Sequence, residues 1–353
     1  MSLEKLRKQI NETDKKLVEV LNRRARIILR IGTIKERTGK SVYCADRESK
    51  ILKGITAANK GPLKSEALKA IYREIMSASR ALEKPLTIAF LGPQATFTHQ
   101  ASLKKFGSQV DYLSCENISD VFNEVEKDAA DYGVVPIENS IEGAVNYTLD
   151  MFMDSDLKIC SQMSLDIAHN LLANCSLERI RKVYSVPQVF GQCRIWLQEN
   201  LTHAELIEVS STTKAAQVAA HEKNSASISS ILAAQIYGLK TACRNIEDSP
   251  HNITRFFVIG KEQSGITGQD KTSLMFSIKD KIGALHEMLE PFRKHKVNLN
   301  KIESRPSKKK AWDYYFFVDL EGHILEPRIK KAVEELENKC KFLKVLGSYP
   351  VGD

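Results

Sequence analysis

The chain has 353 residues, 42% of them hydrophobic, and a formal net charge of +8, which sets an expectation of roughly two to three domains rather than one core. It contains no run of about 18 apolar residues, and its first residues lack the charged, apolar and small-residue regions of a secretory leader, so no membrane is expected and the protein is placed in the cytoplasm. Seven cysteines, odd in number and never spaced as CxxC, argue against a disulfide framework or a zinc site; no metal and no cofactor are expected.

The charge is informative once it is divided. Residues 1–85 hold 21 Lys and Arg against 10 Asp and Glu, a net +11, while the remaining chain holds 31 against 34, a net −3. On charge alone the basic segment fits nucleic acid, an anionic membrane surface or a small polyanionic substrate. Its only aromatic residues are Tyr43 and Tyr72, which counts against stacking on single strands. Leu6, Ile10, Leu17, Leu21, Ile28 and Ile31 recur at helical spacing, and from Leu3 to Thr38 there is no Pro and one Gly. One helix of about 54 Å follows, longer than an 85-residue domain is wide, so its apolar stripe calls for a partner chain. A turn over 38–42 precedes a second helix at 46–59; Gly61-Pro62 ends it, and a third helix runs over 65–83.

Arg24 and Lys35 are 11 residues apart on the long helix, hence within about 20° of each other and about 16 Å apart along the axis, able to grip opposite ends of one small dianion. Arg7 lies about 25 Å from Arg24 on a different face and shares that pocket only if a second chain brings it there. The bland reading of each cation is a solvated face. Leu6-Arg7, Asn22-Arg23-Arg24, Gly32 with Lys35, Asp46-Arg47-Glu48 and Tyr72-Arg73-Glu74-Ile75-Met76-Ser77-Ala78-Ser79 resemble the all-helical chorismate mutase domain, and the chain from Leu86 onward resembles prephenate dehydratase. Together these features resemble the bifunctional chorismate mutase/prephenate dehydratase family over nearly the whole length. The resemblance implies a homodimer or higher homo-oligomer in which Arg24 and the other chain's Arg7 bind the two carboxylates of chorismate. Lys35 then reaches the ether oxygen and a carboxylate, Glu48 takes the substrate hydroxyl, and Arg47 and Ser79 line the pocket. Glu83 falls where relatives have Gln or Glu, facing the ether oxygen, and Cys44 stands where relatives often carry Asp.

After Lys84-Pro85, a strand at 86–91 ends in Gly92-Pro93, and Gln94-Ala95-Thr96-Phe97-Thr98-His99 opens a helix, with Ala95 in place of the family's glycine. A helix at 118–128, a strand at 132–135 and Pro136-Ile137-Glu138-Asn139-Ser140 follow. Beyond them come a helix at 189–199, a strand at 206–209 and a helix at 214–221. This alternation argues for parallel sheets with helices on their faces, and functional groups are expected at the carboxyl ends of the strands. Ser211 or Thr212 reads as a helix cap before it reads as a ligand, and 225–230 reads as a loop and helix start. In Asn252-Ile-Thr-Arg-Phe-Phe-Val-Ile-Gly260, the apolar run Phe256–Ile259 suits a strand covered on both faces, with Thr254 and Arg255 at its mouth; taken alone, Asp248, Ser249, Pro250 and Asn252 read as plain turn chemistry before they read as a site.

Within the resemblance, residues 1–85 form a three-helix chorismate mutase domain, 86–262 a two-lobed, periplasmic-binding-protein-like α/β dehydratase domain, and 271–350 an α+β ferredoxin-like ACT domain. Thr254 is the implied catalytic group for prephenate. Glu138, Asn139, Ser185 and Gln192 match cleft positions, and Arg255 either orders the loop or pairs with substrate; Val186 stands where relatives usually have histidine. The βαββαβ order of the last 80 or so residues is read from the pattern itself: strands at 272–278, 297–304, 313–320 and 342–346, with helices at 283–295 and 327–339. The resemblance places L-phenylalanine at Gly283-Ala284-Leu285-His286, Asn298 and Glu303-Ser304-Arg305-Pro306, with His286 replacing a more common aliphatic residue. A ligand-sensing protein that binds an aromatic acid without turnover is the alternative; nucleic-acid binding would need salt-dependent affinity.

Overall fold

The computed structural model describes residues 2–39, 41–278, 281–307 and 314–352. Two compact units emerge: 1–87 with 106–111, and 88–105 with 112–353.

The first unit is built on α1 (Leu3–Thr38), α2 (Ala45–Ala58) and α3 (Ser65–Glu83). Helix α1 is bounded as its sequence suggests. The Ser2 hydroxyl accepts from the Lys5 N–H, and Gly39 closes the other end in the left-handed conformation at φ 64°, a position where a side chain would cost energy. No α1 residue is buried, and Leu6, Ile10, Leu17, Ile27 and Ile34 all stand exposed on a helix of 36 residues. Of the turn expected at 38–42, Lys40 lies outside the described residues.

The second unit contains three sheets. The chain runs through β1 (Thr87–Leu91), α4 (Phe97–Phe106), β2 (Asp111–Cys115), α5 (Ile118–Glu126), β3 (Tyr132–Asn139), β4 (Gly143–Ala144), α6 (Asn146–Asp154) and β5 (Lys158–Asp166). It then builds a second lobe from β6 (Asn170–Ala173), β7 (Lys182–Ser185), α7 (Pro187–Gln192), α8 (Arg194–Asn200), β8 (Glu205–Glu208), α9 (Thr212–His221), β9 (Ser225–Ser229), α10 (Ile231–Tyr237) and β10 (Lys240–Cys243). Strand β11 (Ile253–Gly260) returns to the first lobe and inserts antiparallel between β3 and β5, giving the order β2-β1-β3-β11-β5. The second sheet has the order β10-β6-β9-β7-β8.

The sheets are mixed, not parallel as the alternation of elements suggests. β1 and β3 are parallel, as are β7, β8 and β9, but β11 runs against both its neighbours and β6 against both of its own. Two local expectations also change. The segment Ser225–Ser229 is a strand, not a loop, and every one of its residues is buried. Two of its serines are satisfied in place: Ser225 donates to the Glu222 carbonyl at 2.7 Å and Ser229 to the Thr212 carbonyl at 2.6 Å, while the Ser227 hydroxyl is buried without a partner among the described residues. The single helix expected over 189–199 is two short ones, since the Asp248 carboxylate accepts from the N–H groups of Ile195 and Trp196 and starts α8 anew. Asp248 is thus a cap, and Ser211, which accepts from the Lys214 N–H, caps α9.

The third sheet, β13-β14-β12-β15, comprises β12 (Asp270–Ser277), β13 (Leu299–Pro306), β14 (Tyr314–Glu321) and β15 (Phe342–Pro350), with α11 (Ala284–Lys294) and α12 (Pro327–Lys339) on one face. This is the ferredoxin-like order expected. Asp313, where the third strand was expected to begin, lies outside the described residues. The other face of the sheet joins the first lobe's core, where Met275, Phe317, Leu346 and Tyr349 pack with Phe152, Phe257 and Ile159. The approach is tightest at Gly347, where an added Cβ would lie 2.3 Å from the Ile159 carbonyl oxygen and 2.8 Å from its nitrogen. Both sides of that contact are backbone and neither can yield, so Gly347→Ala is expected to cost about 2–3 kcal/mol and to lower the thermal midpoint of unfolding. A midpoint equal to wild type contradicts this packing.

Candidate active sites

In the helical unit the cations predicted from helix geometry do converge. The guanidinium of Arg24 donates to Ser79 Oγ on α3, and Ser79 donates to the Ile75 carbonyl. One row further along, Lys35 Nζ lies 3.0 Å from Glu83 Oε2 and 3.0 Å from the Val42 carbonyl. Gly32 makes that row possible: a Cβ there would meet Glu83 Cγ at 3.2 Å, so the absence of a side chain lets α3 lie close against α1. Glu48 is engaged elsewhere. Its Oε1 accepts from Arg80 Nη2 at 2.9 Å, both side chains are buried, and the guanidinium lies against the paired rings of Tyr43 and Phe106. Removing either partner of such a buried pair costs about 3–5 kcal/mol because the other is left charged and dry. Arg7 and Arg47 are exposed, and Arg7, 17 residues before Arg24 on the same helix, is about 25 Å from it. Cys44 is exposed, and its thiol donates to Asp46 Oδ1 at 2.7 Å.

The second constellation gathers where β11 enters the first sheet. In that sheet Thr254 pairs with Asn139 and Arg255 with Glu138; because successive strand residues face opposite sides, Thr254 and Asn139 share one face and Arg255 and Glu138 the other. On the first face, Asn139 Oδ1 accepts from the backbone N–H groups of Ile141 and Glu142 at 2.9 and 3.0 Å. Those groups can only donate, so the other end of the amide is the NH₂. It donates to Thr254 Oγ1 at 2.8 Å and to Asn252 Oδ1 at 2.7 Å.

The same logic runs on. Asn252 Nδ2 donates to Gln192 Oε1 at 3.1 Å, which obliges His169 Nε2, 2.7 Å from that oxygen, to carry its proton. Burial holds the His169 pKa below the usual histidine value, against the opposing pull of Gln192 and Glu247, consistent with a neutral ring. Thr254 Oγ1 therefore receives a hydrogen bond, while its own O–H has no acceptor among the described residues. A cavity of about 210 Å³ is lined by Gln100, Ala168, Asn170, Ile231, Arg244 and Asn245 and by no member of the network.

Asn139, Gln192 and Thr254 are thus brought together, and Ser185 is not. It is fully buried in the second lobe, donating to the Ile228 carbonyl at 3.0 Å. His169 and Asn252 belong to the network although neither was singled out as a site residue. The signal for His169 was a polar ring amid the apolar run Ile167-Ala168 and Leu171-Leu172; a buried polar group calls for partners.

Arg255 and Glu138 face the third sheet. Arg255 Nη1 is 2.7 Å from Asp319 Oδ2, Nη2 is 3.2 Å from Glu138 Oε2, and the guanidinium lies over the Phe257 ring. Among the residues assigned to the effector, Gly283 adopts φ 79° at the start of α11, with Leu285 and His286 exposed beside it and Ala284 buried. Asn298 donates to Glu321 Oε1 at 3.0 Å. On β13, Ser304 and Pro306 are exposed and Glu303 half-buried, while Arg305 is drawn away to Asp150 on α6 at 3.0 Å.

Known proteins match this architecture along its whole length. The family description "Chorismate mutase type II" matches residues 6–84, "Prephenate dehydratase" residues 88–264 and "ACT domain" residues 272–338. The bifunctional chorismate mutase/prephenate dehydratase of Aquifex aeolicus is 51% identical, with 99% of this chain and 98% of that protein covered. The protein of the same name from Pseudomonas aeruginosa is 44% identical, with 99% and 97% covered. Among solved structures, prephenate dehydratase of Arthrobacter aurescens in complex with L-Phe superposes with a TM-score of 0.69 at 33% identity, covering 75% of this chain and 90% of that one. Three family descriptions in the order of the three structural regions, with relatives that align end to end, show that the chain belongs to the bifunctional chorismate mutase/prephenate dehydratase family.

Proposed function

We propose that the protein rearranges chorismate to prephenate on its helical unit, converts prephenate to phenylpyruvate at the Thr254 network, and is slowed by L-phenylalanine acting through the third sheet. The domains follow as 1–85, 86–262 and 271–350. The observation that carries the second activity is the hydroxyl of Thr254, which is fixed by Asn139 and keeps its own proton for a ligand. In the reaction the ring C–O bond and the bond to the ring carboxylate break, the carboxylate leaves as carbon dioxide and its electron pair enters the ring as it becomes aromatic, and the hydroxyl takes up a proton from solvent and leaves as water. A threonine is a weak acid, but a directed hydrogen bond in a dry cleft stabilises the departing oxygen. Asn139, held by two backbone N–H groups, fixes the direction.

The mutase reaction needs no nucleophile. Holding chorismate in its compact conformer and setting positive charge beside the ether oxygen lowers the barrier. Arg24 and Lys35 supply that charge, Ser79 orients Arg24, Glu48 takes the substrate hydroxyl from the position in which Arg80 holds it, and Arg47 lines the rim. Exposed apolar residues along α1 and the stranded Arg7 support a second copy of the chain as the partner that closes the site. The Lys35–Glu83 contact supports a role for Glu83 at the ether oxygen: a substrate carboxylate draws Lys35 away and leaves Glu83 facing the bond that breaks.

Three measurements on purified protein supplied with chorismate test this reading. Thr254→Ala is expected to slow phenylpyruvate formation about 100-fold or more while chorismate is consumed at the wild-type rate; retained phenylpyruvate formation removes Thr254 from the chemistry. Glu83→Gln, which keeps a hydrogen-bond donor at that position, should retain mutase activity, whereas Glu83→Ala should lower it about 100-fold. Wild-type mutase activity in Glu83→Ala excludes Glu83. L-phenylalanine should slow phenylpyruvate formation and raise the thermal midpoint, and the regulatory assignment fails if it does neither.

A further inference from the structure

We infer that Asp319 and Lys301, both on the third sheet, are positioning residues for prephenate dehydration, acting through Arg255 and Glu138 on the strands that carry Thr254 and Asn139. This rests on the reading of Thr254 as the group that assists the leaving hydroxyl. The geometry is a consequence of strand alternation. Thr254 and Arg255 are consecutive on β11, and Asn139 and Glu138 are consecutive on β3, so whatever fixes the second residue of each pair fixes the facing direction of the first.

The fixing groups come from the C-terminal module. Asp319 Oδ2 takes Arg255 at 2.7 Å, and its Oδ1 accepts from Ser273 Oγ at 2.6 Å, which in turn lies 2.6 Å from the Tyr349 hydroxyl. Lys301 Nζ approaches Glu138 Oε1 to 3.1 Å, at ion-pair distance without hydrogen-bond alignment. Arg255 is 14% and Asp319 7% exposed at the side chain, so solvent screens their attraction weakly. Four residues beyond Lys301, on the same face of β13, Arg305 grips Asp150 on α6. Strand β13 therefore holds the first lobe at two points, and the strand that bears Glu303-Ser304-Arg305-Pro306 is bonded to the one that bears Asn139.

Arg255 and Glu138 therefore act here by placement. They face away from the Thr254 hydroxyl and spend their charge on the third sheet.

The test uses the full-length protein, with prephenate as substrate and chorismate consumption as an internal control on the same preparation. Asp319→Asn is expected to lower dehydration kcat about 10- to 100-fold, the scale of a sub-ångström to 1 Å displacement of a reacting group, with KM changed less than about threefold and mutase activity unchanged. Asp319→Glu, which keeps the charge, should recover part of the loss. If Asp319→Asn does not fold, Lys301→Met serves in its place with the same expectation. Wild-type kcat in the variant that folds, or mutase and dehydratase activities falling together, overturns the inference. Thr254→Ala run alongside separates the two failures: an active Thr254→Ala removes the cleft reading and this inference with it, whereas an inactive Thr254→Ala beside a fully active Asp319→Asn removes the inference alone.

Discussion

The two-residue repeat of β11 is the constraint on which the second unit depends. The strand lies between β3 and β5, with Phe256–Gly260 buried in the sheet and Ile253–Arg255 emerging at its end. Its inner segment packs Phe257 against Phe152 and Tyr349, which anchors the strand and leaves its register no freedom. At the mouth the same alternation sends a hydroxyl to one face and a guanidinium to the other. One strand thereby presents its polar network and its link to the third sheet back to back. The antiparallel return of the chain from the second lobe makes this possible: it delivers β11 into the middle of the sheet and sets Asn252 against Gln192 of the second lobe.

The helical unit works by a different economy of structure. Its groups are cations held by neutral or acidic partners on α3, and its longest helix exposes its apolar stripe along its whole length. On the proposed reading, the substrate site there is finished by another copy of the chain, whereas the Thr254 network is complete within one. The free energy of closing the first site is then shared with assembly, and Arg7, without a role inside a single chain, has one between two.

Much of this was legible before any coordinates. The bounds of α1 and α3 are set by Ser2, Gly39 and the apolar spacing, and the meeting of Arg24 with Lys35 on one face follows from 3.6 residues per turn. The importance of Asn252–Gly260 is written as an apolar run behind a polar mouth. Less legible were features decided by long-range packing. Ser225–Ser229 has the composition of a loop and becomes a central strand because small residues suit a crowded interior. Asp248 resembles a turn residue and is one, but it also divides a helix. His169 and Asp319 sit alone in apolar runs, and only the fold reveals that each has a partner more than 20 residues away. Arg255 adjoins Thr254 at the strand's mouth, and only the pleat shows that the two side chains face opposite sides of the sheet.

Amide hydrogen exchange along β11, compared between wild type and Asp319→Asn, tests the central claim most directly, because it reads the strand itself and not the turnover. The account predicts faster exchange at Ile253–Arg255 in the variant while Phe256–Gly260 remains as protected as in wild type. Equal protection at the mouth of the strand in both proteins would contradict it, for the third sheet would then have no hold on the residue that carries the hydroxyl.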